Sequence, residues 1–312
     1  MQIRSGTGAI EIRFGFGRDP SLKISLARAL GTCFGVQDAI DAALEPTFRG
    51  NLTIVGQLVH NPQVVEQLRE NGVRLVDSVD DEITTPNVMI TAHGAARSVK
   101  EGLEARGFTV YDASCPLVMK VHNRVATLVE QGFFPVVVGQ RNHVEVRGIV
   151  GDLDDYEVLG DPSEVERLAG RDKIGIVCQT TQQVEHARAI VDAIHARFPE
   201  MEVQFIDTVC RPTKDRQEAV RELADRVDLM IVVGGHNSSN TKKLKKVCDD
   251  RGLTAFHVER PEQLEEEWFR GRSHVGITAG TSTPHGVIDA IYQRIRAISD
   301  GLAVGATPPD GV

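Results

Sequence analysis

VYDASCPLVMKV, residues 110–121, reads as the end of a strand, a turn and the start of a helix. A β-type run ends at Asp112. Pro116 stands where a helix begins, and apolar periodicity continues through Val125 and Leu128. Cys115 therefore sits at a strand-to-helix junction, facing a helix N-terminus. The arrangement recurs at Cys210, in VQFIDTVCRPTKDRQEAV, and less cleanly at Cys33, in KISLARALGTCFGVQDAI.

Working outward from the cysteines, the chain repeats. An apolar run after Cys33 reaches Gly56 in NLTIVGQLVHN. One after Cys115 reaches Gly139 in FPVVVGQRNH, and one after Cys210 reaches Gly234 in LMIVVGGHNSSN; the separations are 23, 24 and 24 residues. The second half of each unit recurs too. VRLVDSVDDEI, YEVLGDPSEVERL and TAFHVERPEQLEEE each read as a short strand and an acidic stretch. VMITAHGAARSV, IGIVCQTTQQVEHA and VGITAGTSTPHGVI each read as a strand, a small polar loop and a helix. Short β runs alternating with helical periods predict an α/β fold with mainly parallel sheets. The repeat predicts three modules (24–114, 115–209 and 210–299) around a pseudo-threefold axis, a trefoil with the three cysteines at its centre. Residues 1–23 read as a weakly ordered extension and 300–312 as a tail. The third module lacks a closing strand of its own after Ile298, and Ile24–Ala27 is the segment expected to supply it.

Ligands in parallel sheets bind beyond the carboxyl ends of the strands. All three kinds of loop follow strands, so the cysteines and polar loops are expected at one edge of each module. One cysteine at such a junction is well explained as a small buried residue; three in phase point to ligation. Three thiolates are one short of the usual four for a structural site and leave one iron of a cluster open. Helix N-termini favour the thiolate. Cys178 and Cys248 fall out of phase and read as structural.

The net charge of −9 and the lack of a basic block argue against nucleic acid or an anionic membrane as the main partner. No run of 18 apolar residues suggests a membrane helix, and the N-terminus has no apolar region like a signal peptide's. A cytoplasmic protein is expected, in which five cysteines suggest metal or catalytic use over disulfides. The polar loops suit a small anion. His60 and His143 lie four residues after their glycines, where the third unit has Asn237, Ser238, Ser239 and Asn240. His93 is in phase with Thr180 and with Thr281 and Ser282. Histidines, hydroxyls, amides and helix N-termini are what a diphosphate needs where no cluster of Lys and Arg is available. Glu145 is the one carboxylate in these loops at a His-x-Glu position. In a dry pocket beside a diphosphate its pKa rises, which suits a proton donor; the other reading is a surface glutamate on a short helix. Acidic runs such as LEEEWF read as solvated helix faces.

GTCFGV, LVHNPQVV, TAHG, DASCPLVMKVH, His143-Val144-Glu145, CQTT, Cys210 with Arg216–Val220, HNSSNTKKL and TAGTSTP occur in this order. Over about residues 24–299 the chain resembles the 4-hydroxy-3-methylbut-2-enyl diphosphate reductase family, which closes the methylerythritol phosphate route to isoprenoid precursors. The resemblance implies a three-lobed α/β fold with a 4Fe–4S cluster on Cys33, Cys115 and Cys210. It implies a diphosphate held by His60, His93, His143, Ser238, Ser239, Asn240 and Ser282. Glu145 would deliver protons and Thr180 would hold the hydroxyl end. The substrate's hydroxyl would leave as water, with electrons from a ferredoxin or flavodoxin. The chain departs from the family's usual pattern at Thr32, Asp38, Gln140, Val144 and Pro212, and none of these removes a ligand or the proton donor. A non-redox 4Fe–4S hydro-lyase also needs an open iron. A cluster-bearing sensor, or a paralogue with another diphosphate ligand, is a further alternative; a sensor need not keep Glu145.

Overall fold

The computed structural model describes residues 22–305. The expected extension therefore lies almost wholly outside the described residues, as do residues 306–312 of the expected tail. The chain opens with β1 (Lys23–Leu26), α1 (Phe34–Ala43), β2 (Leu52–Val55), α2 (Pro62–Glu70), β3 (Arg74–Val76), β4 (Asn87–Ile90), α3 (Arg97–Ala105) and β5 (Thr109–Asp112). It continues with α4 (Pro116–Glu130), β6 (Phe134–Val138), α5 (Val144–Val150), β7 (Glu157–Leu159), β8 (Lys173–Cys178), α6 (Val184–Arg197) and β9 (Glu202–Phe205). It closes with α7 (Arg211–Ala224), β10 (Leu229–Val233), α8 (Ser239–Asp249), β11 (Ala255–Val258), β12 (His274–Ala279) and α9 (His285–Gly305).

The strands form three four-stranded sheets, ordered β3-β2-β4-β5, β7-β6-β8-β9 and β11-β10-β12-β1. Every pairing is parallel. The order is the same each time, and β1 takes the fourth place in the last sheet. There Ser25 lies opposite Gly276, and the Ala27 N–H donates to the Ile277 carbonyl at 2.8 Å. The sheet is thus closed by the segment before Cys33, as the repeat predicts. Central strands are apolar on both faces, as parallel sheets covered by helices require; all five residues of β10 are buried.

Two compact units result. One is residues 33–214; the other joins residues up to 32 with those from 215 onward. The first holds two sheets, the second the sheet closed by β1. In each sheet the helix after a cysteine packs on the third strand. Leu128 of α4 covers Gly175 of β8, where an added Cβ would lie 2.9 Å from Leu128 Cδ1. Leu223 of α7 covers Gly276 of β12 in the same way, at 3.0 Å. The remaining sheet reverses the fit: Ala39 and Ala43 of α1 share a core with Met89 of β4. Large against small is how such contacts reach close packing. The glutamates of LEEEWF are exposed as expected, but on a short 3-10 turn (Glu266–Phe269) that buries Phe269.

Candidate active site

Each in-phase cysteine immediately precedes a helix. Cys33 is the N-cap of α1 and Cys115 that of α4, neither with a side-chain cap bond, and Cys210 precedes α7. Backbone bonds seat two of them at the sheet edges: Cys115 N–H to the Ala92 carbonyl at 3.0 Å and Cys210 N–H to the Thr180 carbonyl at 2.9 Å. All three belong to the unit of residues 33–214 and all are free thiols. Burial raises the Cys115 pKa, against backbone N–H bonds from Leu117 and Val118; nearby Cys33 and Glu145 raise it further. Burial pushes Cys210 up to about 11, against a bond to Thr213, and Glu145 and Cys33 add to the rise. Cys33 and Glu145 thus each lie within electrostatic reach of both Cys115 and Cys210. In the protein alone, burial outweighs the helix N-termini, so Cys115 and Cys210 are held as thiols.

Among the described residues, no three His, Cys, Asp or Glu side chains are arranged to hold a single metal ion. The donor set does fit an iron–sulfur cluster. It offers three free thiols, and binding to iron removes the cost of ionising them in a buried site. Gly35 also leaves space at Cys115 that any side chain would take, since an added Cβ would collide with Cys115 Sγ.

His60, His93 and His143 come together in the same unit. The rings of His60 and His93 stack at 4.4 Å, and His143 stands edge-on to them at 5.4 and 5.6 Å. Asn61 caps α2 by accepting from the Gln63 and Val64 N–H groups at 3.0 and 3.2 Å, which sets the loop carrying His60. His60 Nδ1 donates to Gln57 Oε1 at 3.2 Å. His143 Nδ1 accepts from the Glu145 N–H at 3.2 Å, so its proton is on Nε2. His93 is half-buried with its Nε2 fully enclosed, and that nitrogen has no hydrogen-bond partner among the described residues. Burial holds its pKa well below the usual imidazole range, and the neighbouring His60 and His143 lower it further.

Glu145 is 1% exposed, which excludes the surface-glutamate reading. One carboxyl oxygen accepts from the Thr180 N–H at 2.6 Å, and the other is 2.9 Å from Thr180 Oγ1. Burial raises its pKa to about 7 despite those two bonds. Thr180 thus holds Glu145 with its N–H and hydroxyl and Cys210 with its carbonyl.

The other unit carries the remaining candidates. Ser238 caps α8 by accepting from the Thr241 N–H at 3.3 Å. Ser239, Asn240 and Ser282 are buried at loop-to-helix junctions. The Asn240 amide has no partner among the described residues on either atom. Cys178, in the unit of residues 33–214, and Cys248 are buried and their thiols pushed up to about 12, in keeping with packing roles.

Three supporting residues were given no role in the sequence. Thr213 lies 3.1 Å from Cys210 Sγ. Gln179 Oε1 accepts from the Gln140 N–H at 3.0 Å and braces the loop before His143. Arg216 is buried and donates to the Gly31 carbonyl, at 2.6 Å from one terminal nitrogen. The one available signal for Arg216 was its place in the motif Arg216–Val220 after Cys210.

Residues 24–296 match the profile of the LytB protein family. A 4-hydroxy-3-methylbut-2-enyl diphosphate reductase of Geobacter sp. (strain M21) is 42% identical over 89% of this chain and 98% of its own. That of Ralstonia nicotianae is 38% identical over 93% of this chain and 90% of its own. A solved (E)-4-hydroxy-3-methyl-but-2-enyl diphosphate reductase, described as the terminal enzyme of the non-mevalonate pathway, is 36% identical. It covers 88% of this chain and 99% of its own, with a TM-score of 0.63. The reductase from Plasmodium falciparum is 25% identical, covering 93% of this chain and 89% of its own, with a TM-score of 0.80. These likenesses show that the chain belongs to the LytB family.

Proposed function

We propose that the chain is an iron–sulfur reductase. It removes the hydroxyl of 4-hydroxy-3-methylbut-2-enyl diphosphate and yields isopentenyl and dimethylallyl diphosphate. The observation that carries this reading is the Glu145–Thr180 pair, a carboxylic acid held half-protonated near neutral pH and tied through Thr180 to Cys210. Neither a sensor nor a structural cluster site calls for such an acid.

Cys33, Cys115 and Cys210 would hold a 4Fe–4S cluster, which when bound supplies electrons and an open iron acting as Lewis acid. The chain's own residues do the rest. His60, His93 and His143 present ring nitrogens to the diphosphate. An anion there offsets the burial and the histidine repulsion that depress His93, and gives its enclosed Nε2 a partner. Glu145 holds the proton that leaves with the hydroxyl, and the Thr180 hydroxyl orients both. On the motif match, Ser238, Ser239, Asn240 and Ser282 also take diphosphate oxygens. Electrons come from a ferredoxin or flavodoxin, and five free cysteines suit a reducing cytoplasm. Among the described residues no helix is long and apolar enough to cross a membrane.

The test is anaerobic incubation of cluster-loaded protein with the allylic diphosphate, dithionite and a viologen. Both isoprenoid diphosphates are expected. A cluster-replete sample that reduces nothing overturns the reading.

A further inference from the structure

The first turns of α4 and α7 build a second feature on the unit of residues 33–214. Lys120 and Arg124 are four residues apart on α4 and so share one helical face. Arg211 and Lys214 occupy the first turn of α7. With the 206–209 linker these side chains line a cavity of about 350 Å³ whose wall includes Cys210. Lys120, Arg124 and Arg211 are exposed. Lys214 is half-buried and pairs with Asp207 at 2.8 Å, the one acidic residue of the lining. Among the described residues, no carboxylate pairs with Lys120 or Arg124. Four cations thus surround one carboxylate on a chain whose net charge is −9.

We propose that this basic mouth is the docking surface for a small acidic one-electron carrier protein, which delivers electrons through the Cys210 wall. The proposal rests on the iron–sulfur reading above and adds the place of entry. Each turnover breaks the substrate's C–O bond, forms one C–H bond and one water, and consumes two protons and two electrons. A one-electron carrier is therefore oxidised twice per product and must bind and leave quickly. Charge complementarity suits that task, because it raises the rate of encounter without demanding a tight complex. An acidic partner is repelled by the net charge of the chain and attracted where the cations cluster. Long exposed lysine and arginine side chains on two helices suit a protein surface better than a small enclosed anion.

The test uses the cluster-loaded chain, an acidic flavodoxin and an acidic 2Fe–2S ferredoxin. Calorimetry measures binding of each, and turnover is driven by each carrier or by reduced viologen. At least one carrier is expected to bind, more weakly as salt shortens the Debye length below ~10 Å. The double substitution Lys120→Glu with Arg124→Glu is expected to raise that carrier's KM and Kd about tenfold or more. Viologen-driven turnover and cluster absorbance should stay at wild-type levels. Lys120→Gln with Arg124→Gln, the milder pair, is expected to fall between. Affinity and KM unmoved by charge reversal, or binding of neither carrier, overturns the proposal. Loss of viologen-driven turnover in the unmodified chain would count against the reductase reading instead, and the calorimetric comparison would still decide the docking surface.

Discussion

Glu145 carries its proton because burial penalises the charged form more than two bonds from Thr180 favour it. The sign of its pH dependence follows. Its pKa rises from 4.5 in an ordinary setting to about 7 in the fold. The folded state therefore binds a proton that the unfolded chain has lost, and this contribution to stability fades as pH rises toward and through 7. Glu145→Gln keeps the geometry without the charge. In urea melts of the cluster-free protein, the variant should gain on the parent as pH rises from 5 to 8. In the loaded enzyme it should lower turnover by roughly 100-fold or more with cluster absorbance unchanged. The parent's own turnover should decline above about pH 7. Equal turnover in the two proteins would remove Glu145 from the chemistry. Gly35 is a second decisive position. A methyl group there collides with Cys115 Sγ, so Gly35→Ala should cost about 1–3 kcal/mol in apo stability. It should also leave the cluster below one per chain; full loading would show that the close approach is dispensable.

At the scale of elements, the in-phase cysteines owe their positions to a repeated device. A fourth strand ends, a loop follows, and a helix begins. The helix start was legible at Cys115 because Pro116 favours the first helical position, and least clear at Cys33, where no proline follows. The role of β1 was legible only as a missing strand, since a parallel partner far away in sequence leaves no local periodicity. Ala27→Pro removes the 2.8 Å bond to the Ile277 carbonyl at this sheet edge. It should cost roughly 2–3 kcal/mol by chemical denaturation. A variant as stable as the parent would mean that β1 adds little to its sheet. The reversed fit of α1, with alanines over Met89 where the other two sheets place leucine over glycine, was not legible at all. It depends on which helix covers which strand.

At the scale of the molecule, the three candidate ligands start helices at residues 34, 116 and 211, far apart along the chain. A group bound by all three ties these segments together in the folded state and has no such site in the unfolded one. Its binding energy is therefore folding energy. Anaerobic removal of the cluster should lower the melting temperature by about 5–15 °C, the shift expected for a few kcal/mol in a unit of this size. An unchanged melting temperature would show that the thiols do not share one ligand.

The sequence by itself determined the threefold repeat, the parallel α/β class, the three cysteines and the polar loops. These follow from local periodicity and from the phase of residues 23 or 24 apart, which the chain states directly. It left Glu145 open between proton donor and surface acid. Only the tertiary structure decided the state of Glu145, because desolvation is set by neighbours distant in sequence, such as Thr180. The same holds for the stacking of His60 on His93 and for the basic mouth beside Cys210. Each is made by segments that share no local pattern and meet only when the sheets and helices pack.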